Sequence, residues 1–270
     1  MSSFKNKNVL ITGGASGIGY IMGRLALERG ARHLVIWDIN EDALDKAAEQ
    51  LRTGDASVSS NVVDVREPDA VTQAAEHLLE DLPAIDILIN NAGIVVGKSF
   101  SEQSMDDIRN TMEVNSLGLM YVARAFLPTM LKKRSGHIVN ITSAVGLTPN
   151  PGMTIYAASK WAAVGWSESL KLELQQNSES VRVLTVMPSY IDTGMFEGVS
   201  PPLWMPVLDP QVISEKILDA VEQNKSRLRE PFMVKITPFL KGILPAPIFD
   251  FIAGKIFNVY SSMSTFKGRN

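Results

Sequence analysis

The 270-residue sequence contains no cysteine. Disulfides, thiolate nucleophiles and cysteine-based metal sites are therefore excluded, and the composition is compatible with a reducing compartment. Histidine is nearly as scarce. His33, His77 and His137 are scattered, without HxxxH or HExxH spacing, which argues against a histidine-based metal centre. No run of about 18 apolar residues occurs, so no membrane-crossing helix is expected. The residues before the first apolar run, near Val9, are too few and too polar for a signal peptide. Charge of one sign is also lacking. The net charge of −3 gives no broad electrostatic reason to expect nucleic acid as a partner. No linker, repeat or low-complexity tract divides the chain, and its length suits one α/β domain or at most two small ones. Together these absences suggest a cytoplasmic protein.

What is present is an alternation of short apolar runs and longer helical patterns. Strands are expected at residues 8–12, 33–38, 60–65, 85–90, 137–142, 181–187 and 231–235. Helices are expected at 17–28, 41–52 (with Asn40 as N-cap), 68–82, 105–133, 156–175 and 211–223. Runs such as VLIT, LVIW, IDILI and VRVLTV are nearly continuous rather than alternating, as in parallel strands covered on both faces. The sum is a single-domain, Rossmann-type doubly wound parallel α/β sheet of about seven strands. Residues 1–235 would form its NAD-binding catalytic part, including a long proline-containing loop at 188–210. Residues 236–270 would form a short, apolar, helical C-terminal extension. In such sheets ligands bind beyond the carboxyl ends of the strands, where that loop begins.

After the first expected strand comes Thr12-Gly13-Gly14-Ala15-Ser16-Gly17-Ile18-Gly19. Glycines there let the backbone turn tightly and approach a pyrophosphate, and the following helix offers N–H groups and a positive dipole end. The strand before and helix after are the context that gives such a cluster meaning; a tight turn with no ligand is the bland alternative. The second strand ends at Asp38, whose carboxylate can accept hydrogen bonds from both ribose hydroxyls and would repel a 2′-phosphate. No Arg or Lys occupies Ser16, Ile39 or Asn40 to receive that phosphate, so NAD is favoured over NADP.

Tyr156 and Lys160 are four residues apart at the start of an expected helix and share a face. An ordinary tyrosine, with a pKa of about 10, is a poor base near neutrality. A neighbouring ammonium, reinforced by a nicotinamide cation, favours the phenolate. Ser143, at the end of the preceding strand, can hold a substrate oxygen.

On these residues the sequence resembles the short-chain dehydrogenase/reductase family along essentially its whole length. It carries TGxxxGxG as Thr12 to Gly19, NNAG as Asn90-Asn91-Ala92-Gly93, a helix asparagine as Asn115, and YxxxK as Tyr156 to Lys160 with Ser143 before it. The resemblance implies that Gly13, Ser16, Gly17, Ile18, Gly19, Asn91, Ala92 and Gly93 contact the cofactor. By the same resemblance, Asp64 and Val65 bracket the adenine, and Asn115 binds a water that links Lys160 to solvent. Beyond the sixth strand the family usually has Pro-Gly. Here Pro188-Ser189 stands instead, a serine in place of a glycine that often adopts unusual backbone angles. Ile191 and Thr193 are carried over as carboxamide or phosphate contacts. The family also implies a homodimer or homotetramer, paired through the long helix after Asn91 and through Trp161, Val164, Glu168 and Leu172 of the Tyr156 helix.

The C-terminal third is similar to the retinol dehydrogenases and lipid-associated hydroxysteroid dehydrogenases. That implies a lipophilic alcohol substrate (retinoid, steroid or long-chain alcohol). Helical projection of residues 248–260 gathers Ile248, Phe249, Ile252, Ile256, Val259 and Tyr260 on one side. Such a helix buries its face in protein, in a subunit contact or in the surface of a membrane or lipid particle. Trp204, in the long loop, reads as a substrate lid or as packing. Three other readings compete with an NAD-dependent dehydrogenase: an NADP-dependent carbonyl reductase, a non-catalytic nucleotide-binding regulator, and a sugar-nucleotide epimerase or dehydratase. The last needs a larger substrate domain than this chain has room for.

Overall fold

The apolar runs become strands buried on both faces. In a computed structural model describing residues 3–52, 56–177 and 180–268, β1 (Asn8–Thr12) is buried throughout and pairs in parallel with β2 (His33–Asp38) and β4 (Ile87–Asn90). With β3 (Ser57–Val62), β5 (Gly136–Ile141), β6 (Val181–Pro188) and β7 (Arg227–Glu230) they form a seven-stranded parallel sheet of order β3-β2-β1-β4-β5-β6-β7. The order reverses between β1 and β4, and ligands of open α/β sheets bind at such a switch point. One face of the sheet packs against α1 (Gly17–Glu28), α2 (Glu41–Leu51) and α7 (Pro210–Glu222) around Met22, Leu34, Ile36 and Ile217. The other packs against α3 (Pro68–Asp81), α5 (Leu119–Lys133) and α6 (Thr154–Gln176) around Leu10, Leu88, Val122 and Phe126. Trp37, fully buried, lies against Phe126 at 5.6 Å. His137, on the buried stretch of β5, is pushed down to about 4 by burial and by Arg182. Arg182 is its register partner on β6.

Four expected elements need correction. The third strand is Ser57–Val62, not 60–65, so Asp64 and Val65 fall in the loop beyond it. This edge strand is polar (SVSSNV), and the apolar residues after it gave the misleading signal. The seventh strand is Arg227–Glu230 rather than 231–235. Its RLRE sequence suits an edge strand, where two of the three charged residues meet partners: Arg227 meets Glu168 at 2.6 Å and Lys216 meets Glu230 at 3.0 Å. The apolar run that suggested a strand instead opens α8 (Phe232–Ile243), directly after Pro231.

The long helix 105–133 is not uniform. α4 (Met105–Met112) leads into a π-helical segment, Glu113–Gly118, before α5 begins. The tail helix is shorter than expected: α9 (Ala246–Phe251) continues into a π segment, Ile252–Ile256. Asn258, left-handed at φ 58°, ends it. Its faces also differ from the projection, since Phe249 and Ala253 are buried while Ile248 and Ile256 are exposed.

Candidate active site

The cofactor half of the site is built around the turn after β1. Gly13 has φ +64°, a left-handed conformation that disfavours a side chain, and a Cβ there would lie 2.9 Å from Ala92 Cα. Gly19 is tighter still. A Cβ on it would lie 2.1 Å from the carbonyl oxygen of Gly13 and 2.6 Å from Asn91 Nδ2. Asn91 braces this turn, its amide donating to the carbonyls of Thr12 (3.1 Å) and Gly13 (3.0 Å). Thr12 Oγ1 answers by accepting from the backbone N–H groups of Asn91 and Ala92. The first turn of α1 carries no acidic residue, so its positive end is left uncompensated.

Asp38 closes the next strand over. Its carboxylate accepts from the backbone N–H of Ala15 and of Asn40, both at 3.1 Å, which ties it to the glycine turn. Across the cavity Asp64 is gripped by Arg66, whose Nη2 lies 2.6 Å from Asp64 Oδ2 and whose Nη1 donates to Asn110 Oδ1 at 2.8 Å. The side-chain hydrogen bonds from Arg66 hold the Asp64 carboxyl below its ordinary range. The space left by Gly13 and Gly19, the positive end of α1 and a carboxylate at the end of β2 together fit a dinucleotide: pyrophosphate on the turn, ribose on Asp38.

Tyr156 lies in the first turn of α6 and Lys160 one turn further on. Both are buried. Burial pushes the Tyr156 phenol upward, a hydrogen bond with Ser143 opposes this, and nearby Tyr190 adds to the rise. In the polypeptide alone, burial thus outweighs the phenolate-favouring pull expected from the lysine. Lys160 Nζ sits 5.6 Å from the centre of the Tyr156 ring and donates to the Ile141 carbonyl at 3.1 Å. Burial lowers its pKa to about 8, which makes it a ready proton donor near neutrality. Asn115 stands behind them in the π segment. Its side chain is occupied: Oδ1 accepts from Ile94 N, and Nδ2 donates to Ile94 O and Ser159 Oγ. Gly93 is wedged between, with room for a Cβ only 3.2 Å from Asn115 Oδ1 and 3.6 Å from Lys160 Nζ. A π segment is a frequent feature of functional sites, because it interrupts the regular helix ladder.

A cavity of about 440 Å³ at the carboxyl edge of the sheet gathers the sequence-predicted residues. Gly13, Ser16, Gly17, Ile18, Asp38, Asp64, Val65, Asn91, Ala92, Gly93, Ser143, Tyr156, Lys160, Ile191 and Thr193 line it. Gly19 and Asn115 do not; the first lies under the glycine turn and the second under Ile94. Arg66 and Asn110 also line the cavity and were missed by the sequence reading. A basic residue two positions after Asp64 was the available signal for Arg66. Asn110 had none, since only the fold brings α4 to that wall.

The substrate side is closed by segments distant in sequence. Phe196 stacks edge-on to both Tyr156 (6.1 Å) and Tyr190 (5.2 Å). Residues 257–268 are laced to the loop after β6. Leu203 N donates to Phe257 O, Ser200 N to Ser262 O and Lys267 N to Glu197 O, each at 2.9 Å. The Asn150 amide, the Tyr190 phenol and the Ser262 hydroxyl form a buried cluster with contacts of 2.7 to 3.2 Å. Trp204 rests on Phe257 at 5.6 Å yet stays exposed, so it packs on the tail rather than over the cavity. A second, small chamber of about 30 Å³ adjoins the main cavity at Ser143, Ser189 and Phe196, and Val259 of the tail forms part of its wall.

Comparison with known proteins agrees with this architecture. The human Short-chain dehydrogenase/reductase 3 is 36% identical over 271 aligned residues, covering 100% of this chain and 89% of that protein. The Mus musculus Epidermal retinol dehydrogenase 2 is 37% identical, covering 88% of this chain and 78% of that protein. Among solved structures, a short chain dehydrogenase/reductase from Burkholderia phymatum in complex with NAD superposes with a TM-score of 0.81 at 26% identity, over 90% of this chain and 95% of that one. A short chain dehydrogenase from Burkholderia cenocepacia in complex with NADP gives 0.77 at 27%, with the same coverage. The model of the family described as short chain dehydrogenase matches residues 7–203. With the cavity, the glycine turn and the buried Tyr156 and Lys160 all within that span, the chain belongs to the short chain dehydrogenase family of NAD(P)-dependent oxidoreductases.

Proposed function

We propose that the protein is an NAD-dependent dehydrogenase that interconverts a lipophilic alcohol and its carbonyl compound, with Tyr156 as the acid/base. One observation carries this reading. The buried Tyr156 phenol, bonded to Ser143 and beside Lys160, opens on the same cavity as the glycine turn and Asp38. When bound, the nicotinamide supplies the hydride acceptor or donor. The chain's own residues do the rest. Ser143 Oγ holds the substrate oxygen, and Tyr156 Oη takes the proton from an alcohol or returns it to a carbonyl. Lys160, with its pKa near 8, stabilises the phenolate and recharges it with a proton. Asn115, its side chain committed to Ile94 and Ser159, positions the Gly93–Ile94 backbone beneath Lys160. Asp38, Asp64, Val65, Ile191 and Thr193 hold the cofactor. The preference for NAD over NADP rests on the Asp38 carboxylate and on Arg66, whose guanidinium is already engaged by Asp64 and Asn110.

The lipophilic substrate is inferred from the apolar side chains of Ile94, Met195 and Phe196 on the cavity wall and of Val145 and Met153 in the adjoining chamber. A small polar substrate would lose its water there without replacement. A screen of retinoid, steroid and long-chain alcohols with NAD, followed at the nicotinamide absorbance, tests the claim. kcat/KM should rise with each buried methylene by about 0.8 kcal/mol, or about fourfold. A strong preference for short polar alcohols or sugars rejects it.

Two associations belong to the same proposal. Phe232, Phe239, Ile243, Ile248, Phe251 and Ile256 are exposed on α8, α9 and the π segment. Lys241, Lys255 and Lys267 outnumber the single Asp250 in residues 236–268, although the whole chain is acidic. This face suits peripheral contact with an anionic membrane or lipid surface. Among the described residues no helix is long and apolar enough to cross a membrane. Flotation with anionic vesicles tests the contact, and protein that stays at the bottom of the gradient refutes it. The chain is also proposed to pair with two-fold symmetry through α5 and α6. Leu117, in the π segment just before α5, and Leu172 and Trp161 of α6 are exposed for this, Trp161 with Lys241 Nζ 4.0 Å from its ring centre, whereas Val164 is buried within the chain. A monomer by light scattering at micromolar concentration counts against it.

A further inference from the structure

The serine that replaces the family's glycine after β6 has an ordinary backbone. Ser189 is not in the left-handed region, and its N–H donates to the Glu230 carbonyl at 2.8 Å. Backbone freedom is therefore not what this position requires. Its side chain is the unusual part. Ser189 is 9% exposed, and its hydroxyl has no hydrogen-bond partner within the described chain. A buried hydroxyl without a partner carries a desolvation cost, and one that faces a cavity is relieved when a ligand supplies the missing partner. Ser189 faces two: it lines both the main cavity and the small chamber behind Ser143.

That chamber tells which ligand atom the hydroxyl meets. Its walls include Ala144, Val145, Met153, Pro202, Met205 and Val259, mostly apolar. Its polar phenol, Tyr190, and the Asn150 amide are already spent on Ser262. Thr148 and Ser143, the latter holding the reacting oxygen from the main-cavity side, complete the wall, while the glycine-turn residues, Asp38 and Tyr156 do not line it. An oxygen hydrogen-bonded by Ser189 on the chamber side is therefore distinct from the reacting oxygen at Tyr156. We propose that Ser189 is a specificity-determining residue whose hydroxyl hydrogen-bonds a second oxygen of the substrate, close to the reacting carbon, on an otherwise apolar frame. The substrate class is thereby narrowed to lipophilic alcohols or ketones with a neighbouring hydroxyl or carbonyl. This rests on the dehydrogenase reading for the position of the reacting oxygen.

The test compares the wild type with Ser189→Ala, using paired lipophilic ketones that differ only in an adjacent hydroxyl. Binding to the NADH-loaded enzyme is followed by nicotinamide fluorescence, and kcat/KM is measured alongside. In the variant the hydroxylated ketone should bind at least about tenfold more weakly and its plain analogue within about twofold of wild type, because only the first loses a buried hydrogen bond. NADH affinity should not change, and the thermal midpoint should hold or rise, since an unpaired buried hydroxyl is removed. Equal effects on both ketones, or none, overturn the assignment. So does a tenfold loss of NADH affinity, which would place the hydroxyl on the cofactor, and so does a wild type that binds neither ketone. A wild type that binds the ketones but reduces none refutes the dehydrogenase reading instead, and the binding comparison still judges Ser189.

Discussion

Replacing Gly19 by alanine places a methyl carbon 2.1 Å from the carbonyl oxygen of Gly13 and 2.6 Å from Asn91 Nδ2. Neither neighbour can yield cheaply. The first is backbone in a turn that is itself left-handed at Gly13, and the second donates to two carbonyls of that turn. The start of α1 must therefore move off by about 1 Å, carrying with it the N–H groups proposed to face the pyrophosphate. Overpacking of this kind costs about 1–3 kcal/mol. If that cost falls on cofactor binding, the dissociation constant rises by roughly five- to 150-fold. Gly165→Ala is the matched control. It too lies in a helix, α6, but a Cβ there meets nothing within 4 Å. Within the single chain that substitution should stabilise the fold by about 1 kcal/mol through helix propensity, any effect on the proposed α6 contact showing separately in light scattering. The thermal midpoint should rise by about 2–4 °C with cofactor affinity unchanged. Titration of NADH fluorescence and thermal unfolding of both variants distinguish the two cases. A Gly19→Ala protein that binds cofactor as the wild type does would refute the reasoning.

Tyr156→Phe should abolish turnover while cofactor affinity stays within a few-fold, because only the transferable proton is lost; near-normal kcat would sink the assignment. Asp38→Ser combined with Ile39→Arg should shift preference towards NADP. It should also weaken NAD binding beyond the loss of the ribose contact, since Asp38 anchors the Ala15 N–H; unchanged discrimination in steady-state kinetics removes Asp38 from the ribose. His137, held near 4 by burial, must gain a proton on unfolding below its ordinary value of 6.5. Its contribution is therefore complete above pH 6.5 and is lost as the pH falls towards 4, by about 3 kcal/mol in total. Urea midpoints between pH 7 and 4.5 should fall less steeply for His137→Leu than for wild type, and parallel curves would contradict the burial argument.

What the sequence made legible was local. The glycine turn, the strand end at Asp38 and the Tyr156–Lys160 spacing each reside within a few residues, so pattern and side-chain chemistry were enough to bring them to one cavity. The misread elements were those whose character is set from a distance. β7 is charged because Glu168 and Lys216 lie beside it, and no periodicity within RLRE announces that. The π segment around Asn115 looks like ordinary helix in sequence, because its widened turn is stabilised by contacts to Ile94 and Ser159 across the fold. The substrate wall was least legible. Val259 reaches the chamber wall from the tail, more than a hundred residues beyond Ser143 and Met153 on the same wall, a relation that no local pattern announces.

That lacing of residues 257–268 to the loop after β6 has a consequence for how such a protein diversifies. The cofactor cradle is written mostly in the segment before Pro188, with Ile191 and Thr193 beyond it, while the chamber draws half its wall from residues 143–153 and half from residues 189 onward. Changes from 194 onward leave most of the cofactor cradle untouched, Met195 and Phe196 apart. Within the second segment, though, loop and tail are not free to vary separately, because Ser200, Leu203 and Lys267 exchange backbone hydrogen bonds across the join. A chimera that takes residues 188–268 from a relative as one block should therefore shift towards that relative's range of alcohols, within the limits set by residues 143–153, and keep this chain's cofactor. Swapping the loop without its tail should leave a wall whose two halves no longer match.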